Sequence, residues 1–374
     1  MMTVAKGSSI FQFVNRVNLI ACLALFVFTT CRLDHRYDDA DFTKPDNIIL
    51  LIGDGMGSAQ VNAAYYANRG LLNMNDFTYT GYARTSSADN FITDSGAAAT
   101  AIACGVKTNN YSIGVDPEGR ILKTILEYAR DHSLSTGLVV TSSITHATPA
   151  AFIAHVPSRS QEEDIAMNIV RSGISVFIGG GRGFFMNRSD SLNLIDSLLA
   201  RHYLVADSDK FDMIQSGKLA CFTAQWQDPK YSDGRGDVLP KATSTALTIL
   251  SKNLRGFFVM IEGSQIDWGG HANDLQYVID ETLDFDRAVG VALNFARMNK
   301  RTLVIVTADH ETGGLTITNG DLDTGIVEGY FTTTGHTAAL VPVYAYGPGA
   351  ERFTGVYENT ALFDKMMELY GFKH

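Results

Sequence analysis

Near-continuous apolar runs limit what this chain can become. Ile48 to Ile52, Phe257 to Ile261 and Leu303 to Thr307 leave almost no position for a solvated face, and Thr136 to Thr141 reads the same way. A strand with one wet face alternates apolar and polar residues, so runs like these must be covered on both sides. Helical spacing of apolar residues lies between them, at Ala59 to Arg69, Ile121 to His132, Glu162 to Ser172, Leu192 to His202, Lys241 to Asn253, Leu275 to Met298 and Asn359 to Tyr370. Shorter strands are predicted at Ser175 to Ile178, Tyr203 to Ala206, Ala220 to Ala224 and Val341 to Tyr346. The alternation predicts an α/β fold: a mostly parallel central sheet with helices on both faces. Gly179-Gly180-Gly181 reads as a turn whose glycines serve backbone geometry, and the polar Gly- and Thr-rich stretch from Glu311 to Thr337 as a connection.

The amino terminus is a separate object. Lys6 and Arg16 precede an apolar run from Leu19 to Phe28, which is short of the roughly 20 residues needed to span a bilayer. A basic start and a short apolar core read as a secretory signal over residues 1–31, followed by a polar linker, 32–46. Cys31 after Thr29-Thr30 resembles a lipoprotein cleavage site, from which Phe28 and Thr30 depart. The expectation is export to the periplasm, with Cys31 a candidate lipid anchor to the membrane. No internal linker divides residues 47–374, read as one catalytic domain. Within it only Cys104 and Cys221 remain, too few for a thiolate zinc site. Cys104 reads as a buried thiol, and a bridge between the two stays open. The formal charge of −10 argues against nucleic acid as a partner. Any phosphate chemistry must rely on local positive charge.

Ionisable residues gather where strands end. Asp54 sits in Gly53-Asp54-Gly55-Met56-Gly57, Glu262 follows the Phe257 run, and Asp309-His310 follows the Leu303 run. In an open α/β sheet such carboxyl ends share one crevice. The loop after Glu262 adds Asp267 and His271, four apart and so on one face of a helical turn. Carboxylates with imidazoles suit zinc, and an all-oxygen set suits magnesium. Gly53 to Gly57 does not have dinucleotide-loop spacing, since Gln60 stands where the last glycine belongs. Ser95 opens an Ala-rich helix in Asp94-Ser95-Gly96-Ala97-Ala98-Ala99-Thr100. Alone it reads as a helix cap. With metal ligands nearby it reads as a nucleophile whose pKa a cation lowers, since no general base stands near it in sequence.

Five stretches together resemble the alkaline phosphatase family. They are Asp94 to Thr100, Ile144-Thr145-His146-Ala147-Thr148-Pro149-Ala150-Ala151, Glu262-Gly263-Ser264-Gln265-Ile266-Asp267, Thr307-Ala308-Asp309-His310-Glu311-Thr312-Gly313-Gly314, and Gly335-His336-Thr337-Ala338. The resemblance implies a metal-dependent phosphomonoester hydrolase in which Ser95 takes the phosphoryl group. It implies one Zn2+ on Asp267, His271 and His336, and a second on Asp54, Asp309 and His310. It implies a third cation, normally Mg2+, on Asp54, Thr148 and Glu262, and it makes Arg159 the residue that clamps phosphate. It also implies small phosphomonoester substrates and a homodimer. Two departures stand beside the site. His146 and Trp268 occupy positions where bacterial archetypes often carry Asp and Lys, which opens the third site to Zn2+ or Co2+. Asp94, His146 and Trp268 are therefore read as neighbours of the site. The short span from Asp309 to His336 implies a compact member without the extra surface subdomain of larger relatives. The rival readings are a phosphodiesterase or other hydrolase of the same superfamily, and a non-catalytic exported metal- or phosphate-binding protein.

Overall fold

A computed structural model of the chain describes residues 43–373. The stretch read as a signal, Cys31 and most of the stretch read as a linker lie outside the described residues. Strands β1 (Asn47–Gly53), β2 (Tyr79–Arg84), β3 (Ser135–Ser143), β4 (Val176–Gly180), β5 (Tyr203–Asp207), β6 (Lys218–Phe222), β7 (Phe257–Gly263) and β8 (Thr302–Thr307) precede β9 (Glu311–Thr312), β10 (Leu315–Asp321), β11 (Ile326–Phe331), β12 (His336–Thr337), β13 (Val341–Tyr346) and β14 (Gly355–Glu358). Ten of them form one sheet in the order β14-β2-β13-β8-β1-β7-β3-β4-β6-β5. Only β13 runs against its neighbours β8 and β2; the other pairings are parallel.

The apolar runs are the centre of this sheet. Every residue of β1, β7 and β8 is buried. Successive side chains point to opposite faces, so burial at every position means helices cover both. The helices Val238–Leu250, Leu275–Asn299 and Ser58–Ala67 make up one packed group, and Ser95–Cys104, Ile125–Asp131 and Thr360–Tyr370 the other. Each buried Ile or Leu of β1 contributes about 1.5–3 kcal/mol, and none of Ile48, Ile49, Leu50, Leu51 or Ile52 is accessible.

Register places the site. Ile52 pairs with Glu262 on one side and Thr307 on the other, while Val140 pairs with Glu262 from β3. Strands β8, β1 and β7 therefore end close to level, β3 runs on beside them to Ser143, and the residues just beyond them meet.

Some expectations need correction. The helix predicted from Ile121 begins at Ile125, because Thr124 and Glu127 form a reciprocal cap there. Upstream, Ile121 bridges to Val115 instead. Gly179 and Gly180 finish β4 rather than making a turn. A Cβ on Gly180 would lie 2.4 Å from the Trp226 carbonyl oxygen, so close approach explains the glycine. The segment from Glu311 to Thr337 holds the β10–β11 hairpin and the β9–β12 ladder. Strands β2 and β14, at the sheet's end, have no continuous apolar run to mark them in the sequence; β2 is buried only at alternate positions.

Candidate active site

The loop before Ser95 is held by one carboxylate. Asp94, not Ser95, caps the helix: its Oδ1 accepts the Ala97 N–H at 2.9 Å and the Tyr111 N–H at 3.1 Å. Its Oδ2 accepts from Arg159 Nη1 at 2.9 Å. The Asp94 carboxyl stays below its ordinary range: burial works against ionisation, and Arg159 and the two N–H donors outweigh it. Tyr111 also accepts the Arg159 backbone N–H, at 2.7 Å, from a left-handed backbone with φ 71. One short loop thus ties the serine's helix to the guanidinium. Ser95, as the first helical residue, is buried at 2% exposure.

Its hydroxyl faces an imidazole. Ser95 Oγ lies 3.2 Å from His310 Nε2. The same Nε2 lies 3.5 Å from Asp54 Oδ1 and 3.3 Å from Asp309 Oδ2. Asp309 Oδ1 is taken up by the Gly55 and His310 N–H groups, which leaves Oδ2 for the site. In a Ser-His-Asp relay the carboxylate sits behind the imidazole, on the far nitrogen. Here Nδ1 meets the Thr312 hydroxyl at 3.2 Å, and both carboxylates crowd the nitrogen that faces the serine. Four donors converging on one point is the arrangement of a cation site, not of a proton relay.

A second group adjoins it. His271 Nε2 is 3.3 Å from Asp267 Oδ1, His336 Nε2 is 3.5 Å from the same oxygen, and the two nitrogens are 3.2 Å apart. Each ring turns its Nδ1 to a carbonyl oxygen, of Thr334 and Thr93 respectively. A carbonyl only accepts, so each Nδ1 carries a proton and Nε2 is the atom each ring turns to the site; with no cation bound, Nε2 of His271 also takes a proton and donates to Asp267, which raises that ring to about 9. His310 stacks on His336 with ring centroids 3.6 Å apart and belongs to both groups.

The third group is Asp54, His146 and Glu262, with Trp268 edge-on to His146. Arg159 Nη2 points at His146 Nε2 from 3.2 Å. Burial, with Arg159 adding to it, pushes the His146 pKa down to about 3, so the ring is neutral. Thr148 Oγ1, Glu262 Oε1, Asp309 Oδ2 and both Asp54 oxygens are buried without a hydrogen-bond partner. Burial first, then mutual repulsion, holds the Asp54 carboxyl well above its usual range. Burial raises Glu262 to about 8 and Asp309 to about 6. Asp267 goes the other way, since hydrogen bonds from His271 and His336 outweigh its burial. Orphaned, crowded carboxylates beside imidazoles that turn Nε2 to the same point fit divalent cations, whose charge would reverse those upward shifts.

All the residues singled out in the sequence fall in this region. Two that matter were missed as individuals. Thr312 lies within the stretch from Thr307 to Gly314 and carries no signal of its own in the sequence. Gly55, at φ 72, allows Asp267 and Thr312 to approach: a Cβ there would lie 2.7 Å from Asp267 Cα and from Thr312 Oγ1.

A parallel-dominated α/β sheet, with a buried serine and clustered carboxylates and imidazoles at its carboxyl edge, defines a hydrolytic class that works through electrostatics rather than a proton relay. A sequence model of the family "Alkaline phosphatase" matches residues 45–327. Alkaline phosphatase 4 of Bacillus subtilis is 33% identical, over 84% of this chain and 86% of its own. The Escherichia coli alkaline phosphatase is 31% identical, over 87% and 86%. The structure of alkaline phosphatase from the Antarctic bacterium TAB5 superposes with a TM-score of 0.85 at 42% identity, covering 88% of this chain and 100% of that one. The chain belongs to the alkaline phosphatase family and is a phosphoric monoester hydrolase.

Proposed function

We propose that Ser95 carries out hydrolysis of phosphomonoesters through a covalent phosphoseryl intermediate. Ser95 Oγ attacks phosphorus in line, the P–O bond to the leaving alcohol breaks, and water then attacks the phosphoserine to release inorganic phosphate and regenerate the hydroxyl. Asp267, His271 and His336 would hold one Zn2+, Asp54, Asp309 and His310 the other, and Asp54, Thr148 and Glu262 a third cation. Those cations, when bound, supply the charge that lowers the pKa of serine and of water and neutralises the leaving oxygen. Arg159 binds two phosphate oxygens through its guanidinium fork. Asp94 aims that fork, and the first turn of the Ser95 helix adds unpaired N–H groups.

The observation that carries this reading is the buried Ser95 Oγ 3.2 Å from His310 Nε2, among carboxylate oxygens that have no partner. The test is phosphate release with metal analysis on wild type and Ser95→Ala. Turnover lost with cations retained is expected; turnover kept in Ser95→Ala overturns the serine's role. Faster cleavage of a diester than a monoester nitrophenyl substrate would favour the phosphodiesterase reading.

For the third cation we propose Mg2+ with Zn2+ or Co2+ as competitors, because His146 stands beside an otherwise oxygen-rich group. A His-to-Asp variant of the TAB5 enzyme has Mg bound in its M3 site, which supports His146 as the tuning position. We further propose export through residues 1–31, lipid attachment at Cys31 and a homodimer, tested by mass spectrometry of the mature amino terminus and by light scattering.

A further inference from the structure

We propose that Thr312 is a positioning residue whose single hydroxyl orders ligands of both zinc groups at once. The inference rests on the cation reading of the site.

Thr312 is fully buried in β9, and its Oγ1 stands between two candidate ligands. It donates to Asp267 Oδ1 and lies 3.2 Å from His310 Nδ1. The directions follow from proton count. A hydroxyl has one proton, and a carboxylate only accepts, so that proton goes to Asp267. Toward His310 the oxygen must then accept, which places the imidazole proton on Nδ1. Nε2 is left bare, facing Ser95, Asp54 and Asp309. The same hydroxyl fixes which Asp267 oxygen is engaged beside His271 and His336.

The hydroxyl cannot turn elsewhere. The Thr312 N–H donates to the Gly55 carbonyl at 3.2 Å, and its own carbonyl accepts from Gln60 Nε2 at 2.9 Å. Across the β9–β12 ladder it pairs with His336. Gly55 packs on the hydroxyl and Gly270 on the methyl, each so close that a Cβ there would fall within 3 Å. A β-branched side chain wedged on both sides keeps one rotamer. The other two imidazoles are oriented by backbone carbonyls. His310 alone of the three relies on a side chain for its tautomer, and that side chain also serves the neighbouring group.

The variants separate hydroxyl from packing. Thr312→Val keeps the shape and removes the hydroxyl; Thr312→Ser keeps the hydroxyl and removes the methyl. Zinc affinity is measured by competition with a chromogenic chelator on the full chain, alongside circular dichroism. In Thr312→Val, zinc affinity is expected to fall about ten- to a hundred-fold in both groups, with full stoichiometry and kcat recovered at excess zinc. Thr312→Ser is expected to bind as wild type does. Wild-type affinity in Thr312→Val overturns the inference, and so does a Thr312→Ser protein as weak as Thr312→Val. Loss confined to one group overturns the claim that the hydroxyl serves both. Wild-type protein that takes up no zinc overturns the underlying cation reading, and the inference with it.

Discussion

Stripping the cations should make stability depend on pH in a direction the carboxylates dictate. Without cations, burial holds the Glu262 carboxyl at about 8 rather than its ordinary 4.5. Between those two values the folded protein keeps a proton that the unfolded chain has released, so stability falls as pH rises across that window. From about pH 6 to about 8 the loss is on the order of 3 kcal/mol for this one group, at ~1.4 kcal/mol per tenfold change in proton affinity. Asp54, also raised by burial, pushes the same way. Bound cations keep these groups ionised and remove the dependence. The assay is urea unfolding of chelated and zinc- and magnesium-loaded protein at about pH 6 and about pH 9, followed through Trp226 and Trp268. The chelated protein should lose several kcal/mol between the two pH values and the loaded protein much less. Glu262→Gln should shrink the loss in chelated protein. Chelated protein equally stable at both pH values would refute the reasoning.

Three further outcomes are expected. His146→Asp replaces a neutral ring with an oxygen donor beside Asp54 and Glu262, and activity titrations should show tighter magnesium dependence; unchanged titrations reject it. Gly55→Ala must place a Cβ against Asp267 and Thr312 from a left-handed backbone, and should cost at least ~2 kcal/mol together with most zinc affinity; a variant as stable and as zinc-avid as wild type rejects that packing argument. His155 Nε2 lies 3.3 Å from Glu127 Oε2, and despite burial His155 is raised and Glu127 lowered by their pairing. The histidine's contribution is complete below its ordinary 6.5 and fades as pH rises past its folded value, while the glutamate's is complete above 4.5 and fades as pH falls. His155→Gln should therefore cost most, ~1 kcal/mol, between those values and less at alkaline pH, and urea midpoints that shift equally at both would contradict it.

How much was legible beforehand depends on the kind of information each residue carries. The unbroken apolar runs determined a doubly covered sheet, because no other arrangement removes both faces of β1, β7 and β8 from water. The acids just beyond those runs marked its carboxyl edge, and motif order marked the family. Local chemistry also placed Asp94 and Ser95 at a helix start, though not which of them caps it. Tertiary structure alone decided the rest. That Ser95 faces His310, 215 residues away, that Tyr111 strings Asp94 to Arg159, and that Thr312 joins two ligand groups are products of strand register and loop closure. No periodicity along the chain encodes a distance between residues that meet only once the sheet has formed.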